Sequence, residues 1–172
     1  MVATFRWKVY TGTNAATESP DAAPGSNAAN LNFMTADAYD SAGTDYQTYP
    51  ITVPAASTAY SYERWLRAHL SGTFNLINNM KFWKSAGTLS DAALAIKAGT
   101  SLTGVTPVVT VSTIATADVP TVVGSALDPT PSGGLSAAGY SKYIVMQLHV
   151  PSTVTTPGDI GSQTFTFRYD ES

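Results

Sequence analysis

Gln163-Thr164-Phe165-Thr166-Phe167-Arg168-Tyr169 alternates without a break. Phe165, Phe167 and Tyr169 share one side, and Thr164, Thr166 and Arg168 take the other. That is the period-two pattern of a half-buried strand. Residues 142–150 repeat it, with Ile144, Met146, Leu148 and Val150 on one face and Tyr143, Val145, Gln147 and His149 on the other. Residues 4–10 do so again, setting Phe5, Trp7 and Val9 opposite Thr4, Arg6 and Lys8. Residues 80–83 place Met80 and Phe82 on one side and Lys81 and Trp83 on the other, after an Asn78-Asn79 pair that reads as a turn. Shorter runs at 94–98, 107–112 and 121–127, bounded by Gly, Pro or Thr-Gly, read as further strands and connectors.

Residues 60–70 (YSYERWLRAHL) fit two periods. At period two, Tyr60, Tyr62, Leu66 and Leu70 share a face with Arg64 and Ala68. As a helix, Tyr62, Trp65, Leu66 and His69 cluster, and Glu63 and Arg67 stand four apart. The aromatic content and the strand-like neighbours favour strand. Residues 11–30 (TGTNAATESPDAAPGSNAAN) are small, polar and broken by Pro20, Pro24, Gly12 and Gly25. They read as a loop, or as an arm that orders only against a neighbour. Many short strands, turn signals between them and no firm helix predict an all-β fold. The expected form is an antiparallel β-sandwich or jelly-roll-like arrangement with little or no helix, in one domain over residues 1–172.

The chain has 172 residues and no cysteine, so disulfides and thiolate metal sites are unavailable. Only 12% of residues are charged, about half the usual share, and the net charge is −3. A nucleic-acid partner is not expected, because binding phosphates takes a basic face. The first residues have no apolar signal-like run, and no apolar stretch is long enough to span a bilayer. No membrane association or secretory signal is therefore expected.

Nothing in the sequence assembles a reaction centre. His69 and His149 are the only histidines, each inside a strand pattern, and no Gly-x-Ser-x-Gly elbow or phosphate-binding glycine loop occurs. No catalytic residue, cofactor or metal site is assigned, and the chain is not expected to be an enzyme. Asp37, Asp40 and Asp45 raise the question of calcium. Their spacing is not that of an EF-hand loop and no Glu closes it, so a hydrogen-bonded turn is the reading. Trp7, Trp65 and Trp83, with nine tyrosines, have three readings: core fillers, a sugar-stacking face, or anchors of a protein interface.

Four segments carry a resemblance. They are Phe5-Arg6-Trp7-Lys8-Val9-Tyr10-Thr11-Gly12, Tyr46-Gln47-Thr48-Tyr49-Pro50-Ile51, Lys81-Phe82-Trp83-Lys84-Ser85-Ala86-Gly87 and Gln163-Thr164-Phe165-Thr166-Phe167-Arg168-Tyr169-Asp170-Glu171. Through them the chain resembles small β-rich virion structural proteins of tailed bacteriophages. The resemblance implies a capsid decoration, or cement, protein that bridges neighbouring subunits and stabilises the head. It also implies a virion location after synthesis in the host cytoplasm, the major capsid protein or other virion proteins as partners, and self-association within the particle. A tail, neck or baseplate component is the alternative. A carbohydrate-binding or adhesin module is the alternative of another class.

Overall fold

A computed structural model describes residues 2–19, 31–40, 43–156 and 158–172. Its strands are β1 (Ala3–Thr11), β2 (Thr17–Glu18), β3 (Thr58–Tyr60), β4 (Arg64–Gly72), β5 (Ile77–Ala86), β6 (Ala95–Ser101), β7 (Ala117–Asp118), β8 (Gly139–Tyr140), β9 (Tyr143–Pro151) and β10 (Thr164–Glu171). All pairings are antiparallel. The large sheet runs β2-β1-β4-β9-β6-β7, with β3 beside β9 and β8 beside β4. The second sheet is the ribbon β10-β5. The fold is an all-β sandwich with strands divided eight to two. Among the described residues helix is confined to one short piece, α1 (Asp45–Thr48), and 3-10 turns at Thr13–Ala15 and Val123–Ser125.

The alternation read from sequence sets which face each strand buries. Val9, Leu66, Ile144, Met146 and Leu148 look from the large sheet toward the ribbon, which returns Met80 and Phe82. Half-buried aromatics seal this core along one side. Phe5 stacks on Phe167 at 5.3 Å, Trp7 meets Phe82 and Phe167 edge-on at 6.0 and 5.4 Å, and Phe82 stacks on Phe165 at 5.6 Å. Each fully buried aliphatic or aromatic side chain contributes about 1.5–3 kcal/mol through apolar area removed from water.

β9 is the central strand and is buried on both faces over residues 144–148. Its second face, Val145 and Gln147, lies beside Trp65 of β4 and needs a different cover. Residues 102–116 supply it as a strap without regular structure. The strap presses so closely that a Cβ on Gly99 would stand 2.1 Å from the Ile114 carbonyl oxygen, so only glycine fits in β6 at that point.

Several expectations change. Residues 107–112 and 121–127 form no named strand, because their backbone groups bond largely to side chains or through single bridges rather than ladders. Asn79 is not a turn before a strand but a bulge within β5. Its φ of 47° is one that asparagine tolerates, and its Nδ2 donates to Asp170 Oδ2 at 2.7 Å. Residues 11–19 of the expected arm fold back onto β1. Ala15 is buried, and Ser19 Oγ accepts from Val9 N at 2.9 Å. Residues 20–30 of that arm lie outside the described residues.

Phe82→Ala is expected to lower the unfolding free energy by about 3–5 kcal/mol through cavity formation. Thr164→Ala, on the exposed side of the same ribbon, is expected to stay within about 0.5 kcal/mol. Urea denaturation followed by tryptophan fluorescence measures both.

Candidate interaction surface

The strap is fixed to the sheet by a buried polar cluster. Glu63, one residue before β4, is 3% exposed. Its Oε2 accepts from Trp65 Nε1 at 2.9 Å, and its Oε1 accepts a short bond from the Ser112 hydroxyl. The Glu63 backbone N–H donates to Val108 O at 3.0 Å. From β9, Gln147 Nε2 donates to Thr110 O at 2.7 Å and to Ser61 O at 2.9 Å, while its Oε1 accepts from Ser112 N at 2.9 Å. Ser112 Oγ then accepts from Ile114 N and Ala115 N, closing a turn. A buried polar group left unpaired costs roughly 1–3 kcal/mol, so these contacts determine where the strap lies. His149 Nε2 sits 3.2 Å from Gln147 Oε1 at the edge of the cluster. Burial, with Lys97 nearby, holds its ring below the ordinary histidine range.

The strap turns outward a mixture of aliphatic side chains and threonines. Leu102 is 71% exposed and Val111 57%, and Val105, Val108 and Val109 are exposed beside them. Residues 102–116 contain no charged and no aromatic side chain. Five exposed aliphatics within ten residues of a pinned segment make this the candidate contact surface.

The three tryptophans do not converge. Trp65 is fully buried against Tyr143, with its indole N–H used by Glu63, so it belongs to the core behind the strap. Trp7 is half-buried in the aromatic seam, and Trp83 is half-buried across from Thr166. The sequence reading passed over Glu63, Ser112 and Gln147. Glu63 stands two residues before Trp65, hence on the same strand face, and that spacing is the signal that could have linked them.

The three aspartates lie close enough to one buried cation of the chain, Arg64, to act on its charge. Arg64 is 2% exposed and donates to Asn32 O at 2.7 Å and Ala38 O at 2.8 Å. Burial lowers its guanidinium to about 10, while Asp37, Asp40 and Asp45 oppose that shift. Burial alone would raise the Asp40 carboxyl. Hydrogen bonds from Asn32 and from the backbone of Asp45, Gly43 and Thr44 nonetheless hold it below the usual carboxylate range. Among the described residues no group of three or more acidic or histidine side chains is arranged to hold a metal ion.

Comparison with known proteins finds no matching family model, no matching curated protein and no matching solved structure.

Two further features frame the surface. Arg67 lies between the Tyr140 and Tyr143 rings, 4.8 and 4.7 Å from their centres, and His69 stacks on Tyr140 at 4.6 Å. At the far end of the sandwich a cleft of about 1030 Å³ opens among Phe33, Ile51, Leu94, Val150, Ile160 and Phe165. Asp91 clasps the loop beside it, accepting from Thr155 N at 2.8 Å and Thr156 N at 3.1 Å. No helix among the described residues is long and apolar enough to cross a membrane.

Glu63→Ala is expected to cost about 2–4 kcal/mol, because Trp65 Nε1 and the Ser112 hydroxyl lose their acceptor, and to expose residues 102–116 to limited proteolysis. Asp91 gives a pH signature. Backbone N–H groups of Ala93, Thr155 and Thr156 lower its carboxyl to about 2. A folded value below the unfolded one, about 3.9, means the clasp is complete above roughly pH 4 and lost as the pH falls through about 2. Amide exchange at Thr155 and Thr156 is expected to quicken over that window, and Asp91→Ala is expected to quicken it already at neutral pH.

Proposed function

We propose that this chain is a non-enzymatic structural protein of a tailed-phage particle. In this reading it is a capsid decoration protein that seats its strap across neighbouring subunits of the major capsid protein. The observation that carries the reading is the strap itself. Residues 102–111 present an uncharged aliphatic ridge, and the buried Glu63, Ser112 and Gln147 fix its path. Such a ridge suits a dehydrated protein contact, whose centre is depleted of charge. Holding it in place before docking reduces the entropy lost on binding.

Two other features support the same reading. Three of the four segments that carry the phage resemblance fall on β1, β5 and β10, where they build the aromatic seam. The charge-poor composition fits a protein that sits among many copies with little mutual repulsion. A clamp that touches two subunits at once gains from linked contacts without new chemistry. A sugar binder would offer a platform of exposed rings, and the strap carries none.

The test adds the purified chain to undecorated heads and to tails, at low and high salt, with a glycan array as a third arm. Occupancy of heads is expected, changing only modestly with salt because few charges take part. Leu102→Asp and Val111→Asp are expected to retain the fold and to weaken head binding by about tenfold or more, since each places a charge in an apolar contact. Binding to tails alone would move the protein to the tail, neck or baseplate. Glycan binding without particle binding would make it an adhesin module, and binding to none of the three would end the particle reading.

A further inference from the structure

Among the described residues β10 has a strand neighbour on one side only. On β5, Phe82 exchanges both backbone bonds with Leu127 at 3.0 and 2.9 Å, and Ile77 does so with Leu135 at 2.8 Å each way. Lys84 N donates to Pro120 O at 2.8 Å. Those β5 residues therefore point their backbone groups away from β10. Their cross-strand partners, Phe167, Glu171 and Phe165, point theirs off the opposite side of the ribbon. Tyr169 follows by alternation. Among the described residues no backbone group meets these four residues on that side. Free strand edges are commonly blunted by proline, lysine or a bulge. β10 has no proline and no lysine, its charged side chains are confined to its last four residues, and the two register shifts along the ribbon put their extra residues in β5, at Asn79 and Ser85.

A second observation lies along the same edge. Phe165, Phe167 and Tyr169 remain half-buried, as do Phe5 and Trp7 behind them. The aromatic seam thus has an uncovered flank beside a row of unpaired backbone groups.

We propose that β10 pairs with β10 of a second copy of this chain, antiparallel about a twofold axis at Phe167. The two ribbons become one four-stranded sheet. The choice of a second copy rests on the strand's own symmetry of chemical type, with aromatic residues at 165, 167 and 169, evenly placed about Phe167. In this register Phe167 faces Phe167 of the second copy and Phe165 faces its Tyr169, each pair exchanging backbone bonds. The inner side becomes a row of aromatic cross-strand pairs, a favoured combination. On the outer side Thr166 faces Arg168 and Thr164 faces Asp170, so no two like charges meet. Centring the axis on Arg168 instead would oppose two guanidinium groups. This contact uses a different surface from the strap and is independent of the particle reading.

The test is the association state of the full chain by sedimentation equilibrium, with amide exchange read at Phe165, Phe167 and Tyr169. A concentration-dependent dimer is expected, with protection of those three amides rising as the dimer forms. Thr166→Arg sets like charges against each other at both symmetry-related positions and is expected to weaken the dimer about tenfold. Adding Arg168→Glu to that variant reverses the charge opposite and is expected to restore it. Circular dichroism checks that both variants keep their strands. A chain monomeric at every concentration, a dimer indifferent to Thr166→Arg, or a double variant that fails to recover would each overturn the proposal.

Discussion

Gln147 sets terms that the rest of the molecule has to meet. It sits in the middle of the central strand and is fully buried. An amide there offers two donors and an acceptor, and each needs a partner. Thr110 O and Ser61 O take the Nε2 side, and Ser112 N takes the oxygen. No ladder could supply that set, since both edges of β9 are already paired with β3, β4 and β6. Ser61 precedes β4, but Thr110 and Ser112 belong to an irregular segment, and that segment becomes the lid over Trp65 and Val145. The two sides of the large sheet are therefore covered by unlike means: a stacked aromatic ribbon on one, a hydrogen-bonded strap on the other.

The division of labour explains how few charges suffice. The aromatic side is held by apolar area and ring geometry, which need no ionised group. On the strap side one carboxylate, Glu63, collects an indole, a hydroxyl and a backbone N–H at 3.4 Å. Arg64 performs a related task at the end of β4, drawing Asn32 and Ala38 onto the core through their carbonyl oxygens. Glu63 and Arg64 are thus spent inside as scaffolding, while charges such as Asp118, Arg168, Asp170 and Glu171 stay exposed among threonine, serine and aliphatic side chains.

Period-two alternation made β1, β9 and β10 readable almost residue for residue: β1 and β10 set an apolar face against a more polar one, and β9 alternates aliphatic residues with Tyr143, Gln147 and His149 although both its faces are covered. It also decided residues 60–70. Leu66, Ala68 and Leu70 sit in the core between the sheets, and Arg64, on the same strand face, turns to Asn32 and Ala38, as the strand reading requires. The short strands β2, β3, β7 and β8 were not legible, since two or three residues have no measurable period and pair only because a neighbour is present. The strap was misread for a related reason. Val105, Val108, Val109 and Val111 resemble a buried strand, and nothing local says that Gln147, some 40 positions later, will take their backbone bonds and turn the valines outward. Trp65 was legible as an aromatic on a strand and as a core filler, but nothing in the sequence set it apart from Trp7 and Trp83, because its full burial depends on where the strap falls.

The seam between β1 and β10 has a consequence for how the chain reaches this state. Glu171 Oε2 accepts from Ala3 N at 3.0 Å, across 168 positions of sequence, and Phe5 meets Phe167 just beside it. During synthesis β1, β4 and β6 emerge long before the last ribbon strand, and β9 only shortly ahead of it. The aromatic face of β1 waits uncovered until residues near Phe167 leave the ribosome. Closure joins segments of the greatest sequence separation, the kind of contact that slows folding. The nascent sheet passes through a stage with Trp7 and Phe82 open to solvent, when holding by a chaperone or capture by another unfinished copy competes with the final strand.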